Sequence, residues 1–162
     1  MALSPIFSHI IEVGDSDIDF LGHASNLSYL RWVQDVAIAH SAAVGLDYEA
    51  YKKMGGVFFI RRHEIDYLRP ALRGDKLEVR TWVDSAMAAK TDRRTEVLRA
   101  SDATVLAKAS TIWGFVEIAR GRPVRIPEIV RVAFTAPDEA RARVEVARML
   151  SMIGQTKESG DA

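Results

Sequence analysis

Cysteine is absent from all 162 residues. That excludes disulfides, thiolate metal sites and a cysteine nucleophile. Charge imbalance is absent too, since 22 Lys+Arg offset 22 Asp+Glu. No overall field therefore draws the chain to nucleic acid or to an anionic membrane surface. No apolar run approaches the roughly 20 residues that a bilayer-spanning helix needs. The opening MALSPIFSHIIEVGD holds no Lys or Arg, and Ser4, Pro5, Ser8 and His9 interrupt its apolar residues. It does not read as a secretory signal, so the cytoplasm is the expected compartment. The four histidines (His9, His23, His40 and His63) lie far apart. With no cysteine to help them, neither a zinc site nor any other metal or cofactor is expected.

What is present suits one domain with its own core: 48% of residues are hydrophobic and 27% charged, ordinary values for a globular chain. No repeat, low-complexity block or Gly/Ser/Pro-rich linker divides it. A single domain is expected over 1–154, with a flexible tail over 155–162.

IFSHIIEV (6–13) alternates loosely and reads as a first strand. From Leu27 to Val44 the period changes. Tyr29, Trp32, Val33, Val36, Ala37, His40, Ala43 and Val44 recur at three and four residues, one broad buried face of a long helix. Arg31, Gln34, Asp35 and Ser41 share the other stripe with Ile38. Ser25 or Asn26 can cap the start and Gly45 suits the end. A short helix over about 47–54 stops at Gly55-Gly56. Strand-like segments follow at 57–70, 76–84, 91–100 and 105–118, with turns at 73–75, 101–104 and 119–123. A final helix is expected from Pro137. Strand, long helix, then four antiparallel strands make an α+β layer architecture, a curved sheet wrapped around one apolar helix.

The densest chemistry lies in GDSDIDFLGHASN (14–26), where Asp15, Asp17 and Asp19 alternate just ahead of that helix. A calcium loop of the EF-hand kind needs glycine at its sixth position and glutamate at its twelfth. Phe20 and Asn26 stand there instead, and the calcium reading fails. A solvated turn suits Asp15 and Asp17. Asp19 admits a third reading. Gly22 allows a sharp bend between it and the helix start seven residues on. A loop folded back this way can aim a carboxylate toward the unpaired N–H groups of the helix N-terminus, which favour developing negative charge. Together they would make a workable site for acyl-group hydrolysis.

DIDFLGHASNLSYLRW (17–32) resembles the signature of the hotdog-fold acyl thioesterases related to 4-hydroxybenzoyl-CoA thioesterase. IDYLRPALRGDKLEVRTW (65–82) and ASTIWGFVEIARGRPVRIP (109–127) resemble the later strands of that family. The likeness spans about residues 6–130. It implies a hotdog fold, homodimers or homotetramers with active sites between subunits, and hydrolysis of an acyl-CoA, or sometimes an acyl-carrier-protein thioester, without a metal. Asp19 matches the family's catalytic carboxylate, as nucleophile or general base. Asn26 matches the position whose backbone N–H polarises the carbonyl. His23 also matches, and would orient Asp19, assist proton transfer or pack near the bend. Asn26 stands where some relatives carry histidine or tyrosine, so their acid–base details do not carry over. Ser25 replaces an asparagine, and a longer opening leaves a register choice between Asp17 and Asp19. Distance from Gly22 and Tyr29 favours Asp19.

The substrate-binding candidates are Gly22, Tyr29, Arg61 and Arg62. Tyr29, with Trp32 and Phe58, would line an acyl channel or simply form core. Arg61-Arg62-His63 and Arg93-Arg94 would meet CoA phosphates or lie on solvated faces. His40 suits a satisfied core or interface position and Trp82 a subunit contact; Asp35 suits an ion pair with Arg31, although another branch of hotdog thioesterases takes its carboxylate from the central helix. Two rival functions remain: a non-catalytic hotdog module that binds or senses an acyl thioester, and a hotdog dehydratase. The chain lacks the His-Phe-Pro type of segment that the dehydratase would need.

Overall fold

The computed structural model of the chain describes residues 2–158, with side chains as far as residue 154. Strand β1 (Phe7–Glu12) leads through one 3-10 turn (Asp15–Asp17) into helix α1 (Asn26–Ala43) and the short α2 (Tyr48–Met54). Four strands follow: β2 (Gly56–Tyr67), β3 (Lys76–Met87), β4 (Lys90–Arg99) and β5 (Val105–Glu117). Helices α3 (Glu128–Thr135) and α4 (Glu139–Glu158) close the chain.

All strand pairs are antiparallel, in the order β1-β3-β4-β5-β2. Register shifts at Ile60/Arg62, Val83/Ser85 and Val97/Leu98 are the irregularities by which strands bend. The sheet curves around α1, which is the hotdog architecture. Alternation decides its inner face, with Leu77, Val79, Thr81 and Val83 buried along β3 and Thr91, Arg93, Thr95 and Val97 along β4.

The core is not one apolar body. Tyr29, Trp32 and Val36 of α1 pack with Leu77, Val79 and Val97 in one cluster. Val44, Leu46, Tyr51 and Phe115 pack with residues of α3 and α4 in another. A polar band interrupts the inner face of the sheet. Thr95 donates to Thr81 Oγ1 (3.2 Å), Arg93 Nη1 donates to the same oxygen (3.1 Å), and Thr81 donates to the Arg94 carbonyl (2.9 Å). Thr111 and His63 Nδ1 lie 2.9 Å apart on the neighbouring strands.

The boundaries of the expected elements agree with those observed to within a few residues. Asp47 caps α2 by accepting from Ala50 N (2.8 Å), and Ser25, rather than Asn26, caps α1. One helix was not anticipated. Ile129, Val130, Ala133 and Phe134 form the buried face of α3, ahead of the expected final helix. That helix begins after Asp138, whose carboxylate accepts from Arg141 N (2.8 Å). The expected tail over 155–162 overlaps the last turn of α4, and 159–162 lie outside the described residues. Among the described residues no helix is long and apolar enough to cross a membrane.

Candidate functional site

Residues 13–28 leave the sheet at Val13, whose N–H still donates to the Asp75 carbonyl (2.9 Å). The three aspartates then part company. Asp15 stays exposed and pairs with Arg73 at 2.9 Å. Asp17 turns inward and is only 5% exposed, which corrects its expected place in a solvated turn. Its Oδ2 accepts from Gly14 N (2.9 Å), its Oδ1 pairs with Arg31 Nη2, and its carbonyl takes Ser25 N (2.8 Å) and Ser28 Oγ (3.2 Å). A buried carboxylate needs such partners. Asp17 thereby ties the turn to the first turns of α1. Arg31 is committed to Asp17, so the expected Arg31–Asp35 pair does not form.

Asp19 opens a closed loop. Its N–H donates to the His23 carbonyl (2.9 Å), its carbonyl accepts from Gly22 N (3.0 Å), and its Oδ1 accepts from Leu21 N (2.9 Å). Gly22 sits at φ +80, a left-handed conformation that costs other residues energy. Ile18 and Ala24 bridge the base of the loop. Asp19 Oδ2 makes no hydrogen bond with a described residue. The loop passes directly into the N-terminus of α1, where Ser25 Oγ accepts from Ser28 N (3.2 Å). The N–H groups of Asn26 and Leu27 have no acceptor among the described residues and carry the positive end of the helix dipole.

His23 is exposed, and Asn26 is exposed at the first helical position. Phe20, Leu21 and Leu27 are 96%, 65% and 75% exposed around them. A carboxylate, two unpaired N–H groups and a rim of uncovered apolar side chains thus gather at one end of α1.

The remaining candidates scatter. Tyr29 is in the core, where its hydroxyl accepts from Ala71 N (3.0 Å) and donates to the Arg69 carbonyl (3.3 Å). Burial pushes its pKa up. Arg61 and Arg62 are exposed on β2. Arg62 pairs with Glu64, whereas Arg61 lies over the Phe59 ring at 5.8 Å. Arg94 is solvated beside Asp84 (3.5 Å). Arg93 is not: it is 5% exposed, inside the sheet, so the expected solvated or phosphate-facing pair is corrected at that residue. His40 is buried as expected, stacked on Phe7 at 5.1 Å and 3.0 Å from Arg93 Nη1. Burial, and secondarily the Arg93 charge, pull the His40 pKa down to about 3. A neutral imidazole can accept at Nδ1 from Arg93 Nη1.

The inward phase of Arg93 is legible in the sequence, although the pair with Arg94 masks it. Thr91, Arg93, Thr95 and Val97 share one phase of a strand, and that phase faces the helix. Reading Arg93-Arg94 as a charge pair hid the alternation.

The model of a thioesterase-like superfamily matches residues 13–134. A 1,4-dihydroxy-2-naphthoyl-CoA thioesterase from Synechocystis superposes with TM-score 0.75 at 20% identity, covering 82% of this chain and 98% of that one. A Staphylococcus aureus protein solved in complex with CoA gives 0.74 at 17% identity, covering 82% and 84%. An oleoyl thioesterase (putative) from Lactobacillus plantarum gives 0.77 at 18% identity, covering 81% of this chain and 50% of that one. At these identities the structural likeness carries the fold alone.

Proposed function

The chain belongs to the thioesterase-like superfamily, and on that premise we propose that it hydrolyses an acyl-CoA to the free acid and CoA, with Asp19 as the catalytic carboxylate. The observation that carries this reading is the Asp19 loop. One carboxylate oxygen is held by Leu21 N–H while the other has no partner among the described residues, in a loop that runs straight into the N-terminus of α1. Of the three aspartates, Asp15 and Asp17 are already engaged by arginines.

With the thioester carbonyl at the helix N-terminus, the Asn26 N–H donates to its oxygen and steadies the negative charge that develops there. As general base, Asp19 takes a proton from water while the water oxygen bonds to the carbonyl carbon. The tetrahedral intermediate then collapses, the C–S bond breaks, and the thiolate leaves with the proton. As nucleophile, Asp19 bonds to the carbonyl carbon and displaces the thiolate. Water then hydrolyses the resulting mixed anhydride. His23 on the same loop would orient Asp19 or assist proton transfer, and Arg61, without an acidic partner among the described residues, suits a CoA phosphate. A second copy of the chain covers Phe20, Leu21 and Leu27 in this reading. An uncovered apolar rim of this kind is costly in water, and the free edge of β2 offers a strand to pair.

The test is thiol release from short, long and aromatic acyl-CoAs by the protein and its Asp19→Asn and Asp17→Asn variants, with no cysteine background to subtract. Turnover abolished only by Asp19→Asn supports the reading. Saturable acyl-CoA binding without turnover would favour a binding or sensing module instead, and turnover confined to acyl-carrier-protein thioesters would change the substrate handle.

A further inference from the structure

The polar band of the core ends in a hollow that the thioester chemistry does not use. A cavity of about 420 Å³ lies between the C-terminal half of α1 and the sheet, within the range of about 300–1,000 Å³ common for small-molecule sites. Its walls are largely apolar, with Ile38, Leu46, Phe58 and Phe134 among them. Ile38 is 60% exposed at its mouth, the apolar exception on the polar stripe of α1. Against this lining stands one cation, Arg93.

Arg93 is unusual in what it lacks. Both of its side-chain hydrogen bonds, to His40 Nδ1 (3.0 Å) and Thr81 Oγ1 (3.1 Å), come from Nη1. Nε and Nη2, the edge with which arginine grips a carboxylate side-on, bond to no described residue. No carboxylate forms an ion pair with it among the described residues. Asp47, also on the cavity wall, is occupied in capping α2. The neighbours that do meet the guanidinium are neutral: the Phe134 ring at 5.5 Å, and His40, whose imidazole is uncharged at neutral pH. Burial lowers the Arg93 pKa, but only to about 10, so the cation persists.

A buried charge without a counter-ion is expensive, and an apolar residue of similar size would fill the place at lower cost. Trp113 lines the cavity, and its indole N–H is buried without an acceptor. The Tyr51 and Ser41 hydroxyls on the same wall satisfy each other: Ser41 donates to the Leu46 carbonyl (2.8 Å) and accepts from Tyr51 (2.7 Å). One uncompensated cation with an unused donor edge, inside an apolar hollow, describes a receptor for an anion with an apolar body.

We propose that this cavity binds a small apolar carboxylic acid, with its carboxylate on Arg93 and its hydrocarbon part against Ile38, Leu46 and Phe58. No residue of the Asp19 loop lines the cavity, and the proposal does not depend on the hydrolytic reading. Charge and shape divide the work. The guanidinium selects the carboxylate over uncharged isosteres, and the apolar walls select a hydrocarbon body over acetate.

Tryptophan emission of the full chain, titrated with acetate, hexanoate, octanoate, decanoate and 4-phenylbutyrate and with the matching amides, tests this. Trp113→Phe identifies the part of the signal that arises at the cavity. At least one of the longer acids is expected to bind tenfold or more tighter than its amide and than acetate, and to raise the melting temperature. Arg93→Gln should reduce acid binding to the level of the amide while melting no lower than the unaltered protein, because an unpaired buried charge is gone. If Arg93→Gln fails to fold, the acid-to-amide ratio in the unaltered protein decides. Equal binding of acid and amide, or no response to any longer acid at millimolar concentration, overturns the proposal.

Discussion

Arg31, one turn into α1, reaches back to the buried carboxylate of Asp17 in the turn that precedes the helix. The contact fixes where the chain enters α1, and so where the Asp19 loop stands. Asp17→Asn removes the charge and weakens this anchor. A loss of about 2 kcal/mol is expected, the scale of a hydrogen bond to a charged group whose partner is left buried. Asp19→Asn keeps an oxygen for the Leu21 N–H and should leave stability within about 0.5 kcal/mol. Urea denaturation of both variants beside thiol-release rates separates the structural aspartate from the one proposed to be catalytic.

His40 makes stability depend on pH. Its folded pKa, about 3, lies below the ordinary histidine value of 6.5. The unfolded chain therefore binds the extra proton between these values, and the native state loses stability as pH falls through that window. The contribution is intact above pH 6.5 and is lost progressively toward pH 3. At pH 5 the loss amounts to about 2 kcal/mol relative to pH 7, at 1.36 kcal/mol per pKa unit. His40→Gln retains an acceptor for Arg93 without the titration. Its melting temperature should fall less steeply than that of the unaltered protein between pH 7 and 5.

Tyr29 holds the segment before β3 through its hydroxyl. In Tyr29→Phe the Ala71 N–H, fully buried, loses its acceptor. A destabilisation of about 2 kcal/mol is expected. Hydrogen exchange at Ala71 should accelerate while amides in β4 stay protected.

Gly56 is required for space. A Cβ there would lie 2.5 Å from Phe115 Cε1 and 2.6 Å from its Cζ, and Phe115 is one of the most deeply buried side chains. Gly56→Ala should cost about 1–3 kcal/mol by overpacking, read as a lower denaturation midpoint. Gly74→Ala meets no atoms within 4 Å, so its cost comes only from the positive φ.

Arg61 and Arg62 differ in what they have free. Glu64 already engages Arg62, so Arg61→Ala should raise KM for an acyl-CoA more than Arg62→Ala does, by roughly threefold to tenfold, with kcat little changed. Exposed charge contacts are screened by salt. The difference from the unaltered protein should therefore shrink at 0.5 M NaCl in steady-state assays.

Local chemistry by itself determined much of this protein. Three- and four-residue spacing from Tyr29 to Val44 makes α1 whatever surrounds it, because only that period gathers the apolar side chains on one stripe. Alternation in 76–84 and 105–118 makes strands with one buried face, and the loop from Asp19 to Gly22 closes through bonds between near neighbours. The GHASN stretch and its helix start are legible for the same reason. Ion-pair partners were not. Arg31 has Asp35 one turn away in sequence and Asp17 fourteen residues back, and only the fold decides between them, by burying Asp17 where water cannot solvate it. Arg93 shows the same limit. Strand phase marks it as inward, but no local rule brings His40, Thr81 and Phe134 around it or opens a cavity beside it. Those neighbours come from β3, α1 and α3, far apart along the chain, and meet only when the sheet closes on the helix.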